Sequence, residues 1–183
     1  MALAQRRWAA ELLHCWFHEL RPRDWWVQSD DVDAMLQRRF AGDLKLASQP
    51  AHSFLGTPRM ALAAVLLFDQ VPRNLFRKSP EAYAYDPLAL AIAHGALDLG
   101  YDRAFPGKQA QFLAMPLMHS EDIADQRRSL VEFRQINGGS NLGFARSHYK
   151  MIARFGRFPH RNPVLGRRSS AKEKRAVKAG FAW

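Results

Sequence analysis

Residues 57–72, TPRMALAAVLLFDQVP, carry the reading that decides the fold class. Thr57 followed by Pro58 is a helix start: a side-chain cap, then a proline where no backbone N–H is needed. Leu62, Val65 and Leu66 then recur at steps of three and four, the period of a helix with one buried face. Pro72 is predicted to stop it. Outward from this stretch the same period dominates. Trp8, Leu12, Cys15, Trp16 and Glu19 outline a first helix closed by Pro22. Ser29, with Asp30, Asp31 and Asp33 behind it, caps a second whose apolar contacts are Met35, Leu36 and Phe40. Ser79-Pro80-Glu81 starts a fourth that fades near Gly95 or Gly100. Pro106 opens a fifth that Pro116 ends. Ser120, with Glu121 and Asp122, starts a sixth that runs out at Asn137-Gly138-Gly139. A seventh covers Asn141 to Phe155 with Gly156 as its stop, and a basic helix covers about Ser170 to Ala179. No stretch alternates as a strand does. The expectation is an all-α protein of seven or eight helices, either a bundle or a stack of helix pairs.

The chain has 183 residues, 48% hydrophobic and 24% charged, which excludes a wholly disordered protein. We expect a single helical domain over residues 1–167 and a basic C-terminal extension or last helix at 168–183, dispensable for folding. One cysteine, Cys15, rules out an internal disulfide and suits a reducing compartment. No apolar run reaches membrane-spanning length, and charges interrupt the first twenty residues, so the expected location is the cytoplasm with no membrane partner. The net charge of +10 is unevenly distributed. Residues 1–145 hold sixteen basic and sixteen acidic residues, whereas 146–183 hold eleven basic residues and Glu173. A basic domain is therefore excluded, and nucleic acid ranks last among partners.

Chemistry is concentrated in three segments. Asp69 falls in the apolar series of Leu62, Val65 and Leu66, where an unpaired carboxylate would cost several kcal/mol. Arg73 and Asn74 follow it closely. In MPLMHSEDIADQ (115–126), His119 and Glu121 could form an acid–base pair, although helix-start chemistry accounts equally for Ser120, Glu121 and Asp122. His148 lies in register with Phe144, Met151 and Phe155, a position more often structural than catalytic. In RFGRFPHRNP (154–163), Arg157, His160, Arg161 and Asn162 occupy a proline-pinned connection suited to a carboxylate or phosphate. No HExxH motif or cysteine cluster offers a metal site, and no cofactor motif is present.

FDQVPRNLFR (68–77), the turn from Ser79 through Asp86, MPLMHSEDIADQ (115–126) and RFGRFPHRNPVLGR (154–167) together resemble the bacterial DUF924 family, as do CWF (15–17) and DWW (24–26). The resemblance spans roughly residues 10–168. It implies a tetratricopeptide-like helical superhelix and brings no mechanism with it.

Two functions follow as expectations. In the first, the protein is a small-molecule enzyme or ligand-binding protein with a polar pocket for an anionic ligand, which it hydrolyses or transfers by acid–base catalysis. His119, Glu121 and His160 would be catalytic, and Asp69, Arg73, Asn74, His148, Arg157, Arg161 and Asn162 would bind the ligand. Arg73, His119, Arg157, His160 and Arg161 would then converge on one cavity. In the second, the stack is a scaffold for a peptide or protein, the motifs are structural, and Trp25 or Trp26 touches the partner.

Overall fold

A computed structural model of the chain describes residues 2–136 and 141–180, with side chains from residue 7. The described residues contain helices and turns and no strand. α1 (Ala2–His14) passes into a π turn at Cys15–Glu19 and a 3-10 turn at Pro22–Trp25. α2 (Asp30–Phe40) is capped by Ser29, whose hydroxyl accepts from the Val32 amide. α3 (Pro58–Val65) is capped in the same way by Thr57. α4 (Val71–Leu75), α5 (Asp86–Asp98), α6 (Gly107–His119), α7 (Ile123–Gln135), α8 (Leu142–Phe155) and α9 (Ala171–Lys178) complete the described helices.

The prolines do less punctuation than their sequence positions predict. Pro72 does not stop the helical path. A π turn at Leu66–Gln70 widens the backbone just ahead of it, and Pro72 sits in the first turn of α4, where a missing N–H costs little. Pro116 lies inside α6, which continues to His119. Ser79-Pro80 opens a 3-10 turn, Pro80–Tyr83, rather than a long helix, and α5 starts afresh at Asp86. Gly95 does not end α5 either. It gives close approach, since a Cβ there would stand 2.5 Å from Leu55 Cδ1; the break comes at Gly100, with φ +69°. The cap of α7 is Asp122 rather than Ser120: its carboxylate accepts from the Ala124 amide at 2.6 Å. The proposed stop at Asn137-Gly138-Gly139 lies outside the described residues.

α3 is the central element. Ala61 through Phe68 are all fully buried, and the small side chains at 61, 63 and 64 let α1, α5 and α6 pack closely around it. From α5 onward each helix packs on its predecessor through to α8. No helix among the described residues is long and apolar enough to cross a membrane.

A smaller apolar cluster joins Met151, Ile152 and Phe158 to Ala176 of α9. Ser170 and Glu173 form a reciprocal cap at the start of α9. Glu173, only 3% exposed, also receives Arg157 at 2.7 and 3.1 Å, and these donors hold its carboxyl down at about 2. The last described helix is thus tied to the protein by burial and by a charge pair, which argues against its being dispensable. Val177 is half-buried, while Phe181 and Trp183 lie outside the described residues. Truncation after Arg167 is expected to lower the melting temperature measurably, because it uncovers Phe158 and leaves Arg157 without its carboxylate. A melting curve unchanged by the truncation would contradict this.

Candidate functional site

The π turn sets Asp69 inside the protein, at the centre of a chain of polar contacts. It is 0% exposed. His119 Nδ1 donates to its Oδ1 at 2.8 Å, Gln70 Nε2 donates to Oδ2, and Arg73 Nη2 lies 3.4 Å from Oδ1. Burial would raise the pKa of this carboxyl, but Arg73, His119 and Gln70 outweigh burial and hold it below the usual range. An ionised Asp69 can only accept, so Nδ1 of His119 must carry a proton, and Nε2 is the position left for exchange. Gln126, also fully buried, fixes the end of α6 by donating to the carbonyls of Leu117, Met118 and Ser120. It thereby sets where His119 stands.

Arg73 also donates to Asp86, at 2.8 and 3.2 Å. Asp86 is shared, for Arg161 Nη1 stands 3.5 Å from its second oxygen. The Arg161 side chain is 8% exposed, and the rings of Tyr83 and Phe158 each lie 4.6 Å from its Cζ. Its Nε is buried with no hydrogen-bond partner among the described residues. Burial, and then the neighbouring charge of Arg73, push the Arg161 pKa down from its ordinary value. Three imidazoles complete the cluster. His148 lies 6.2 Å from His119 and edge-on to Phe158, whose ring is 5.7 Å from His160. Burial is the main cause that lowers His148 to about 3 and His160 to about 4, with the charge of Arg161 as the next contribution at His160.

The structure therefore brings together Asp69, Arg73, His119, His148, His160 and Arg161 from the α3–α4 junction, the α6 end, α8 and the turn at Pro159–Arg161. Four other candidates are engaged elsewhere. Glu121 does not orient His119; Arg167 grips it with two donors at 2.7 and 2.9 Å, and the Phe158 amide adds a third. Arg157 is bound to Glu173 and to the Arg168 carbonyl. Asn162 donates to Ser169 and Glu173. Asn74 donates to the Gln70 carbonyl and accepts from Arg77, which closes the turn after α4. The cluster also lines neither of two small pockets found among the described residues. Those lie between α1 and α3 and beside Asp102, with volumes of about 100 and 360 Å³.

Sequence reasoning missed Tyr83, Asp86 and Gln126 as members or supports. Tyr83 and Asp86 sit in the quoted 79–86 turn, but an acidic residue at a helix start looks like capping chemistry. A second polar network also went unforeseen. Asp125 holds His94 Nε2 at 2.7 Å and the Ser120 hydroxyl at 2.6 Å, and Arg128 donates to His94 Nδ1. Asp125 stands between the serine and the histidine, so the ring cannot take the hydroxyl proton, and the network joins α5 to α7. Cys15 offers no thiolate nucleophile, because burial raises its thiol to about 11. Among the described residues no group of three His, Cys, Asp or Glu could hold a metal.

The buried imidazoles generate a pH prediction. In the unfolded chain histidine takes up a proton near pH 6.5, where His148 and His160 in the native protein do not. Stability is therefore level above pH 7 and falls as pH drops toward 5, by up to about 1.4 kcal/mol per pH unit for each histidine. Glu173, held at about 2 in the native protein, adds to the loss only toward pH 5, where glutamate in the unfolded chain begins to take up protons. Urea titrations at pH 7 and pH 5 should show the loss in the wild type and a smaller loss in His148→Asn; equal losses would contradict the assignment.

A family model described as a bacterial protein of unknown function, DUF924, matches residues 12–180. The match runs through α9, beyond the motifs read in the sequence. Among solved structures, a protein of unknown function from Agrobacterium tumefaciens aligns with a TM-score of 0.89 and 33% identity, over 96% of this chain and 99% of that one. No functionally curated protein matches. Motifs, family model and solved structure agree, and the chain belongs to the DUF924 family of bacterial proteins.

Proposed function

We propose that the cluster around Asp69 and Arg161 is the site of a small-molecule enzyme or ligand-binding protein that takes an anionic ligand. The observation that carries this reading is Arg161. A buried guanidinium normally has its donors filled; this one is held by two aromatic rings and a carboxylate 3.5 Å away, with Nε unmatched. Next to it, the Asp69–His119 pair has the arrangement of a proton-transfer couple, in which a carboxylate fixes one ring nitrogen so that the other can act. Arg161 and Arg73 would hold the anion, His119 would exchange the proton, and the reaction would be hydrolysis or group transfer. A cytoplasmic setting fits a lone, buried cysteine.

One observation favours the scaffold reading. Arg77, Arg157 and Arg167 are each taken up by an internal carboxylate, which is how structural arginines behave, and successive helices pack pairwise as in tetratricopeptide-like stacks. Of the two tryptophans named for a partner, Trp26 is exposed, whereas Trp25 is half-buried and donates to the Trp16 carbonyl.

A thermal-shift screen against organic acids and phosphate esters, followed by turnover assays on the hits, separates the readings. The enzyme reading expects stabilising ligands, with binding kept and turnover lost in His119→Asn. Stabilisation without turnover in the wild type would leave a binding protein. A screen in which no small molecule shifts the melting temperature would contradict the site.

A further inference from the structure

We propose that the ligand recognised by Arg161 is a small, flat monoanion, a carboxylate, rather than a phosphate or sulfate dianion; this deepens the anion-site reading and rests on it. The first argument is charge. Arg73, Arg161 and Arg167 are the cations around the cluster, and Asp69, Asp86 and Glu121 are the carboxylates linked to them. The two sets cancel. His148 and His160, lowered to about 3 and about 4, add nothing near neutral pH. A proton on His119 Nε2 is the remaining way for the cluster to gain positive charge, so it can balance one negative charge and not two. An uncompensated second charge, held among groups as buried as Asp69 and Arg161, would cost several kcal/mol.

The second argument is shape. The Arg161 Cζ lies over the rings of Tyr83 and Phe158, 4.6 Å from each centroid. Neither contact fills a conventional hydrogen bond, and the donors of a guanidinium lie in one plane. In-plane donors match the two coplanar oxygens of a carboxylate. Binding would also fill hydrogen bonds that the protein leaves open.

The test is an NMR titration of the full chain at pH 7 and constant ionic strength with acetate, nitrate and sulfate. Acetate and nitrate are flat monoanions, and sulfate is a tetrahedral dianion. The expected result is that acetate and nitrate bind and sulfate binds at least tenfold more weakly. Arg161→Met should weaken acetate at least tenfold, whereas Arg157→Met, which touches the Glu173 pair instead, should leave it unchanged. Arg161→Met leaves Asp86 paired with Arg73, so no carboxylate is orphaned. Should it still fail to fold, Tyr83→Leu removes one ring, keeps every charge, and must also weaken acetate. Sulfate binding more tightly than acetate, in an Arg161-dependent way, would overturn the monoanion assignment and leave the anion site standing. Acetate binding indifferent to Arg161→Met and Tyr83→Leu, or no binding of any of the three, would overturn both.

Discussion

A carboxylate kept wholly out of water is tolerable only while its partners stay in place, and Asp69 puts that condition on the centre of this protein. An unpaired charge in such a position costs several kcal/mol, enough to offset a large part of a domain's net stability. The π turn at Leu66–Gln70 that delivers Asp69, the α6 terminus that delivers His119 and the α4 turn that delivers Arg73 are therefore constrained together. Removing any one donor weakens the reason for the others to hold their positions. Gln70 and Gln126 support the arrangement, the first by binding the carboxylate and the second by satisfying the carbonyls where α6 ends.

From this centre the charge pattern spreads outward in alternation. Arg73 bridges Asp69 and Asp86, Asp86 reaches Arg161, and Arg167 and Glu121 form the next pair. The Arg73–Asp86 and Arg167–Glu121 links have the short, two-donor geometry of arginine–carboxylate pairs. Arg161 does not. Its carboxylate contact is 3.5 Å, its Cζ lies over two rings, and it stands near His148 and His160, which burial keeps neutral. A fold assembled for stability alone gains little from such a guanidinium, since replacing a buried charge with an apolar side chain is often neutral or stabilising. That is the physical ground for reading this end of the helical stack as a place where something binds.

The helices were legible because their signals are local. Thr57-Pro58, Ser29 and Ser170 act as caps, and the three-and-four spacing around Leu62 and Leu66 faces the core. The helix breaks were less legible, since Pro72 and Pro116 act through a π turn and the last turn of α6, which depend on packing rather than residue type. Asp69 stood out as a carboxylate in an apolar series, with Arg73 close behind it in sequence. The division between Arg161, left open, and Arg157, engaged by Glu173, could not be read from sequence, because the two guanidinium groups are four residues apart in one motif. Which of them meets a carboxylate depends on where α9 packs.

An ionised Asp69 fixes the proton on His119 Nδ1 and leaves Nε2 as the position that can exchange. Two-bond ¹H–¹⁵N correlation spectra of the ¹⁵N-labelled protein near pH 8 report the tautomer of each imidazole directly. The account predicts that neutral His119 shows a protonated Nδ1 and a bare Nε2, and that Asp69→Asn removes this preference. A His119 ring that carries its proton on Nε2 with Nδ1 bare would mean that the carboxylate does not accept from it, and would contradict the account.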